Sequence, residues 1–365
     1  MNLTCVSWYV QPVGPDVLTG TMPAAVYQGP GVLALEQLPV PAPGDDEVLI
    51  EVSHCGVCGS DLHAIIEGWG RPGTVGGHEY SGTITAVGSR VDGWSVGQRC
   101  AVDPNQPCRT CDLCRSGRSA LCRNRDRWGD GPPYQGAFAR YVRVHRDQLV
   151  AVPEGLPLRA AALAEPLAVA LHALEIGQVP AGARVLVTGA GPIGLLVTAA
   201  LRASGAGEIV VSEPAPARRT RALEVGATRA MSPEDLPPVP AMPFDLVEQP
   251  FATAFDCSGR AEAVQLALGH LDRAGTLVLV GAGMQQPRID PNRILMNELV
   301  VTGSYCVNGG GLERALDLLA SGRLPVDRLI EPNDVPLDRL LDTIHSLHEG
   351  RLAAKVMIVP EVTGG

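Results

Sequence analysis

The chain has 365 residues, 45% hydrophobic and 19% charged, with a formal net charge of −10 at pH 7. That length favours two domains with ample buried apolar surface. The acidic balance argues against a nucleic-acid partner, which needs a net basic face, and no apolar run approaches the roughly eighteen residues of a membrane-spanning helix. Arginine supplies nearly all the basic charge, and Lys355 is the only lysine.

Four of the ten cysteines crowd between Cys108 and Cys122 and the rest are scattered, which favours metal binding in a reducing cytoplasm over a disulfide framework. Residues 1–21 carry neither a basic n-region nor a clean apolar h-region, so a signal peptide is not expected. The strand-like Ala24-Ala-Val-Tyr27 begins just after Met22 and Pro23. Met22 is the expected natural start, with 1–21 as an extension; a short ordered extra segment is the alternative.

From Met22 to about Val150 the chain reads as short strands cut by Gly and Pro: Val48–Val52, Gly82–Val87, Arg99–Val102 and Phe138–Val142. This pattern predicts a compact, barrel-like β domain. From Ala183 strands alternate with helices. Strands are predicted at Arg184–Thr188, Glu208–Ser212, Ala254–Asp256, Thr276–Val280 and Leu299–Thr302, and helices at Pro192–Ser204, Ala215–Val225 and Ala261–Leu271. Such alternation implies right-handed crossovers and a doubly wound parallel sheet, an α/β fold. The proline-rich Met231–Pro250 stretch predicts a loop. Two helices, Leu312–Ser321 and Asp338–His348, then precede an isolated strand, Lys355–Val359, expected to return to the first domain.

Cys108, Cys111, Cys114 and Cys122 place four thiols within fifteen residues. Four thiolates close a tetrahedral zinc with no open position, so this site is expected to be structural. A ferredoxin-type cluster is the alternative, but its fourth cysteine usually follows sooner and precedes proline. Elsewhere Cys58, His78, Glu79 and Glu165 offer one thiolate, one imidazole and two carboxylates, ligand chemistry for a zinc that activates a substrate oxygen. Each taken singly also reads as a buried thiol, a turn histidine or a helix-start carboxylate.

The loop Gly189-Ala-Gly191-Pro192-Ile193-Gly194 follows a buried strand and opens a helix, the context in which this fingerprint marks a dinucleotide site. Its glycines admit the pyrophosphate to the helix N-terminus. Glu213 ends the next strand, where an acid binds ribose hydroxyls and repels a 2′-phosphate; NAD is therefore expected over NADP. Arg218 and Arg219 stand nearby as counter-indications, and Arg218 is counted among the cofactor-binding residues.

From Met22 to Pro360 the chain resembles the zinc-dependent medium-chain dehydrogenases, the family of alcohol, sorbitol and threonine dehydrogenases. The resemblance rests on Val57-Cys-Gly-Ser-Asp61, Gly76-Gly-His-Glu79, the four-cysteine lobe, Gly189–Gly194, Phe255-Asp-Cys-Ser-Gly259 and Arg351–Ile358. It implies a GroES-like β-barrel catalytic domain, 22–172 and 313–365, around a Rossmann domain, 173–312. It also implies two zincs per chain and a homodimer or homotetramer. Cys58 and His78 match the family's catalytic zinc ligands, Glu79 the glutamate that joins or leaves the metal, and Glu165 the third ligand, a glutamate in sorbitol dehydrogenase-like members. Ser60 matches the hydroxyl that takes the substrate proton, and His63 the histidine that passes it outward.

The Cys/His/Glu/Glu set points toward a small polar polyhydroxylated substrate. Glu165–Leu171 and Ser212–Arg219 are also similar to cyclitol dehydrogenases. The expected pocket segments are Glu67-Gly-Trp69-Gly-Arg71 and Arg125-Asp-Arg-Trp128, and Pro132–Gly136 departs from the family pattern beside the pocket. A general alcohol or threonine-type dehydrogenase is the nearest alternative. A zinc-free reductase of the same superfamily and a non-catalytic binding protein are the others, and the intact ligand sets count against both.

Overall fold

The computed structural model describes residues 20–124 and 135–362. The chain opens with an antiparallel ribbon, β1 (Thr21–Gly29) and β2 (Val32–Pro39). There follow β3 (Glu47–Gly56), α1 (Gly59–Ile65), β4 (Glu79–Val87), β5 (Arg99–Val102), α2 (Asp112–Arg115), β6 (Tyr141–His145) and β7 (Leu149–Ala151). β3 is central and pairs antiparallel with both β4 and β6, while β5 bridges β4 to β7. Val48, Ile50 and Val52 of β3 join Ile84, Val142 and Phe138 in one buried core. Residues 1–19 of the expected extension lie outside the described residues; Met22 is buried within β1.

The strand expected over Phe138–Val142 begins instead at Tyr141. The backbone N–H groups of Ala137 and Phe138 donate to the carbonyls of Gly77 and Gly76, and the Phe138 carbonyl accepts the Ala25 N–H of β1, so this segment links the loop before His78 to β1 before it joins β3 as a strand.

The chain then enters α3 (Leu158–Ala161) and α4 (Ala164–Gly177). Together these make an apolar stretch, Leu158–Gly177, long enough by length and composition to cross a membrane. This corrects the expectation that no run approaches that length. The stretch is a core helix all the same, because 72% of its most apolar window is buried inside the protein.

Next come β8 (Val185–Thr188), α5 (Pro192–Ala203), β9 (Ile209–Ser212), α6 (Pro216–Glu224), β10 (Arg229–Met231), β11 (Phe251–Asp256), α7 (Ala261–Gly269), β12 (Leu271–Leu279), α8 (Pro291–Asn297), β13 (Val300–Gly303) and α9 (Gly311–Ala320). Among the described residues six of these strands form a parallel sheet in the order β10-β9-β8-β11-β12-β13. β8 and β9 are buried on both faces, as a parallel sheet covered by helices requires. Most of the proline-rich 231–250 stretch is loop. Arg293 of α8 holds it by donating to the carbonyls of Pro240, Met242 and Asp245, and Asn297 adds a bond to Pro243.

The chain ends through α10 (Val326–Leu329), β14 (Val335–Pro336), α11 (Leu340–His348) and β15 (Met357–Val359). β15 pairs antiparallel with β3, which returns the C-terminus to the first sheet. Leu312, Ala315, Leu316 and Leu319 of α9 pack in one cluster with α4, β8 and β9. The boundary expected at 312/313 falls within α9.

Candidate metal and dinucleotide sites

β3 ends one residue before Val57, and Cys58 follows as the N-cap of α1. Asp61, at the third helical position, accepts the Cys58 backbone N–H at 2.8 Å, which satisfies a free donor of the first turn and fixes the cysteine. His78 and Glu79 enter at the start of β4, so the thiol and two further donors converge at one end of the β3–β4 pair. The ligand atoms of Cys58, His78 and Glu79 lie within 4.8 Å of one another. Asp61 Oδ1 is 4.0 Å from His78 Nδ1, beyond hydrogen-bond length, so it acts on the imidazole through its charge.

Glu165 stands buried in the first turn of α4. It lies outside the 4.8 Å group formed by the other three, although its charge bears on His78. Glu79 is 0% and Lys355 1% exposed, and the Lys355 Nζ donates to the Glu79 carboxylate at 2.7 Å and to the Val57 carbonyl at 3.0 Å. Burial pushes the Glu165 carboxyl up to about 7, against the pull of His78. Burial alone would lower His78, but Cys58, Asp61 and Glu165 reverse that and hold it well above its ordinary value. The cluster thus carries more acidic groups than its one lysine can balance. A sulfur, nitrogen and oxygen donor set short of positive charge fits a zinc ion.

The four cysteines form a second group, again with sulfurs within 4.8 Å. Backbone N–H groups of Cys108 and Cys111 donate to the sulfurs of Cys122 and Cys108 at 3.2 and 3.4 Å. Hydrogen bonds from Thr110 lower the Cys108 thiol to about 5, whereas burial and neighbouring thiols raise Cys114 to about 12. Sulfurs that cannot all ionise side by side are the donor set a closed tetrahedral zinc neutralises. None of the described cysteines forms a disulfide. The lobe docks through Asn308, whose Oδ1 accepts the Ala120 N–H at 3.0 Å, and through Ser119 Oγ, which accepts the Gly309 N–H at 3.0 Å.

Ser60 stands in the first turn of α1, next to Cys58, and His63 three residues on in its last turn. The His63 ring stacks on Trp69 with centroids 4.7 Å apart and planes at 18°, and its Nδ1 is 2.9 Å from Glu67 Oε2. Glu67, expected to bind substrate hydroxyls, is thus engaged with His63. Arg125–Trp128 and most of Pro132–Gly136 lie outside the described residues.

Gly189 leaves β8 at φ +91°, and a Cβ on Gly194 would collide with the Gly189 carbonyl, so α5 approaches the loop only because residue 194 is glycine. Around Gly191 the space is open, as a pyrophosphate on the N-terminus of α5 needs. Pro192 and Ile193 form the first positions of that helix. Asp256 braces the neighbouring loop after β11: it accepts from Thr188 Oγ1 at 2.8 Å, Ser258 Oγ at 2.7 Å and the Gly259 N–H at 3.0 Å. β8 and β11 flank the point where strand order reverses, where open α/β sheets bind ligands. The buried Glu213 carboxylate accepts the Ala190 N–H at 2.8 Å and the Ala215 N–H at 2.9 Å. Arg219 donates to the Glu213 and Pro214 carbonyls. Arg218 is committed elsewhere, to the carbonyls of Leu347 and Leu352.

A barrel-like domain with an open thiol-imidazole-carboxylate site, a tetracysteine lobe and a doubly wound sheet with a glycine-rich switch-point loop define a metal- and dinucleotide-dependent oxidoreductase. Residues 44–154 match the alcohol dehydrogenase GroES-like domain, and residues 192–321 match the zinc-binding dehydrogenase domain. The sorbitol dehydrogenase of Bacillus subtilis is 33% identical over 348 residues, 93% of this chain and 97% of that protein. A zinc-binding dehydrogenase of Sinorhizobium meliloti, solved with NADP, superposes with a TM-score of 0.83 at 33% identity, covering 93% of this chain and 99% of the other. The L-idonate 5-dehydrogenase of Escherichia coli superposes at 0.84 with 27% identity, covering 94% and 99%. The chain belongs to the zinc-dependent medium-chain dehydrogenases.

Sequence reasoning named Cys58, His78, Glu79, Glu165 and the four lobe cysteines, but it missed Lys355 and the bond by which Asp61 holds Cys58. A signal for Lys355 was present: the sole lysine stands at the head of an otherwise apolar strand.

Proposed function

We propose that this enzyme moves a hydride between a nicotinamide dinucleotide and a secondary alcohol of a polyol, sugar or aminocyclitol. The observation that carries the reading is the convergence of Cys58, His78 and Glu79, with Glu165 buried nearby, beside the Ser60–His63 turn of α1. Bound zinc would supply a Lewis acid for the substrate oxygen, and the dinucleotide a hydride acceptor. The residues named would then hold the metal: Cys58, His78 and Glu165, with Glu79 joining or leaving. As the substrate C–H electron pair leaves as hydride and the C=O bond forms, the hydroxyl proton passes to Ser60, whose own proton moves on to His63 and solvent.

Two features favour a polyhydroxylated substrate. A carboxylate at Glu165 makes the site harder and more polar than a thiolate would. Trp69 is 56% exposed, an indole surface that can stack on the C–H face of a ring while nearby polar groups bond its hydroxyls. An alkyl alcohol would leave those groups unpaired. Glu213, buried at the end of β9 and holding the loop at Ala190, favours NAD, because a 2′-phosphate there would meet its charge. The relative solved with NADP marks the other possibility. β13 is an edge strand with Val300, Leu295 and Met296 exposed beside it, a surface suited to a second copy in a homodimer or homotetramer. Cysteines outside disulfides suit a reducing, cytoplasmic setting, and a net charge of −10 argues against a nucleic-acid partner.

Steady-state kinetics over polyols, cyclitols and simple alcohols, each with NAD and NADP, tests the reading. The expected result is turnover of a vicinal diol with NAD and much poorer turnover of ethanol or butanol. Primary alcohols outperforming every polyhydroxylated compound would return the enzyme to the general alcohol dehydrogenases, and equal specificity constants with NADP would overturn the NAD preference.

A further inference from the structure

The segment after α1 is built around the His63 ring. The Trp69 backbone N–H donates to the His63 carbonyl at 3.3 Å and the Gly70 N–H to the Ala64 carbonyl at 3.0 Å, so the loop folds back over the end of its own helix. Gly68 turns the chain at φ +81°, a conformation most side chains resist. A Cβ on Gly70 would sit 2.9 Å from Tyr27 Cε1. Glycines on both sides therefore let Trp69 lie flat on the imidazole, at 4.7 Å and 18°.

Glu67 holds the ring's edge, with its Oε2 2.9 Å from Nδ1. An ionised carboxylate only accepts hydrogen bonds, so the neutral imidazole bonded to it must carry its proton on Nδ1. That choice leaves the Nε2 lone pair as the ring's proton-accepting position. A plain surface pair at this helical spacing would set the tautomer alone; the stacked indole of Trp69 also fixes the ring plane.

We infer that Glu67 is a positioning residue for proton release: with Trp69 it fixes the plane of His63 and its Nδ1–H tautomer, keeping Nε2 free to take the proton from Ser60. The inference rests on the relay reading of His63, and it assigns Glu67 to the enzyme and not to substrate hydroxyls. Catalysis by a positioned base supplies on the order of 10²–10⁴-fold, and loosening its orientation should remove part of that.

The test uses zinc-loaded protein with ¹⁵N-labelled histidine; the chain has eight, and His63→Ala identifies the His63 signals. Long-range ¹H–¹⁵N spectra should show His63 as the Nδ1–H tautomer in the parent and shift it toward Nε2–H in Glu67→Ala. Turnover of Glu67→Ala should fall about 10-fold with KM changed less than about twofold. Glu67→Gln, whose amide oxygen can still accept from Nδ1, should keep the Nδ1–H pattern and most of the turnover.

An unchanged His63 nitrogen pattern in Glu67→Ala, or parent-level turnover there, overturns the proposal. Parent-level turnover in His63→Ala instead overturns the relay reading, and the proposal with it. A slow His63→Ala enzyme alongside a Glu67→Ala variant that keeps the Nδ1–H pattern leaves the relay standing and removes only the positioning role.

Discussion

Replacing Lys355 with methionine removes one partner of an ion pair that is closed to water, since Glu79 is 0% and Lys355 1% exposed with Nζ 2.7 Å from the carboxylate. Methionine roughly preserves the stem volume, so the change isolates charge from packing. Breaking a buried pair on one side typically costs about 3–5 kcal/mol, because the remaining charge stays desolvated. Set against a total stability of about 5–15 kcal/mol, that is enough to shift the denaturation midpoint widely or to leave part of the chain unfolded. Lys355→Met combined with Glu79→Gln removes both charges and should recover most of the loss, since a neutral pair of similar volume is often tolerated. Guanidinium titrations of the parent, both single variants and the double variant, on zinc-loaded and zinc-stripped protein, give the coupling energy. The lysine itself offers a second readout: as the only one in the chain, it should resist amine acylation in the folded parent and react faster in Glu79→Gln. A Lys355→Met loss below about 1 kcal/mol, the range of exposed pairs, with no coupling to Glu79, would refute the reasoning.

Elemental analysis should find about two zincs per chain, one for each donor group. Cys111→Ser should lose one zinc together with folding stability, and Cys58→Ser one zinc together with activity; a fully loaded parent with one zinc would remove a site. Glu165, raised by burial from its ordinary 4.5 to about 7, makes the zinc-free chain bind more protons folded than unfolded between those values, so stability falls as pH rises through that window and its contribution is level above it. Zinc uptake should therefore release more protons at pH ~6 than at pH ~8 in calorimetry with two buffers, and Glu165→Gln should shrink the difference; an unchanged difference in Glu165→Gln would show that Glu165 is already ionised.

Much of this was legible because it is local. Val185–Thr188 is a short apolar run closed by glycine, Pro192–Ala203 carries helix spacing with proline at its first position, and their junction holds the whole fingerprint within six residues. The tetracysteine lobe and the Cys58 and His78 motifs are equally compact. Elements stabilised from a distance were less legible. β10 is three residues that join the sheet only through β9, and Phe138 leaves the expected strand because carbonyls sixty or more residues earlier bind the N–H groups there. The roles of Glu67 and Lys355 were hidden for different reasons. Glu67 bonds a neighbour four residues away, but a helical spacing of that kind is also an ordinary surface pair. Lys355 reaches Val57 and Glu79 across 298 and 276 residues, a separation that local patterning does not encode.

The same long reach explains why the chain returns to its first sheet at all. The buried cluster gathers Cys58, Asp61, His78, Glu79 and Glu165, and burial raises the Glu165 and Asp61 carboxyls because their charged forms are poorly solvated there. Within the cluster the one permanently cationic side chain is Lys355, and it arrives on the segment leading into β15, after the excursion through the parallel sheet. β15 thus brings two things at once: a strand paired to β3 and the ammonium that balances Glu79 beside it. With Glu79 balanced by the chain itself, the charge a zinc ion neutralises is that of Cys58 and the remaining carboxylates. This arrangement would let Glu79 stay buried beside a bound zinc without serving as a permanent ligand.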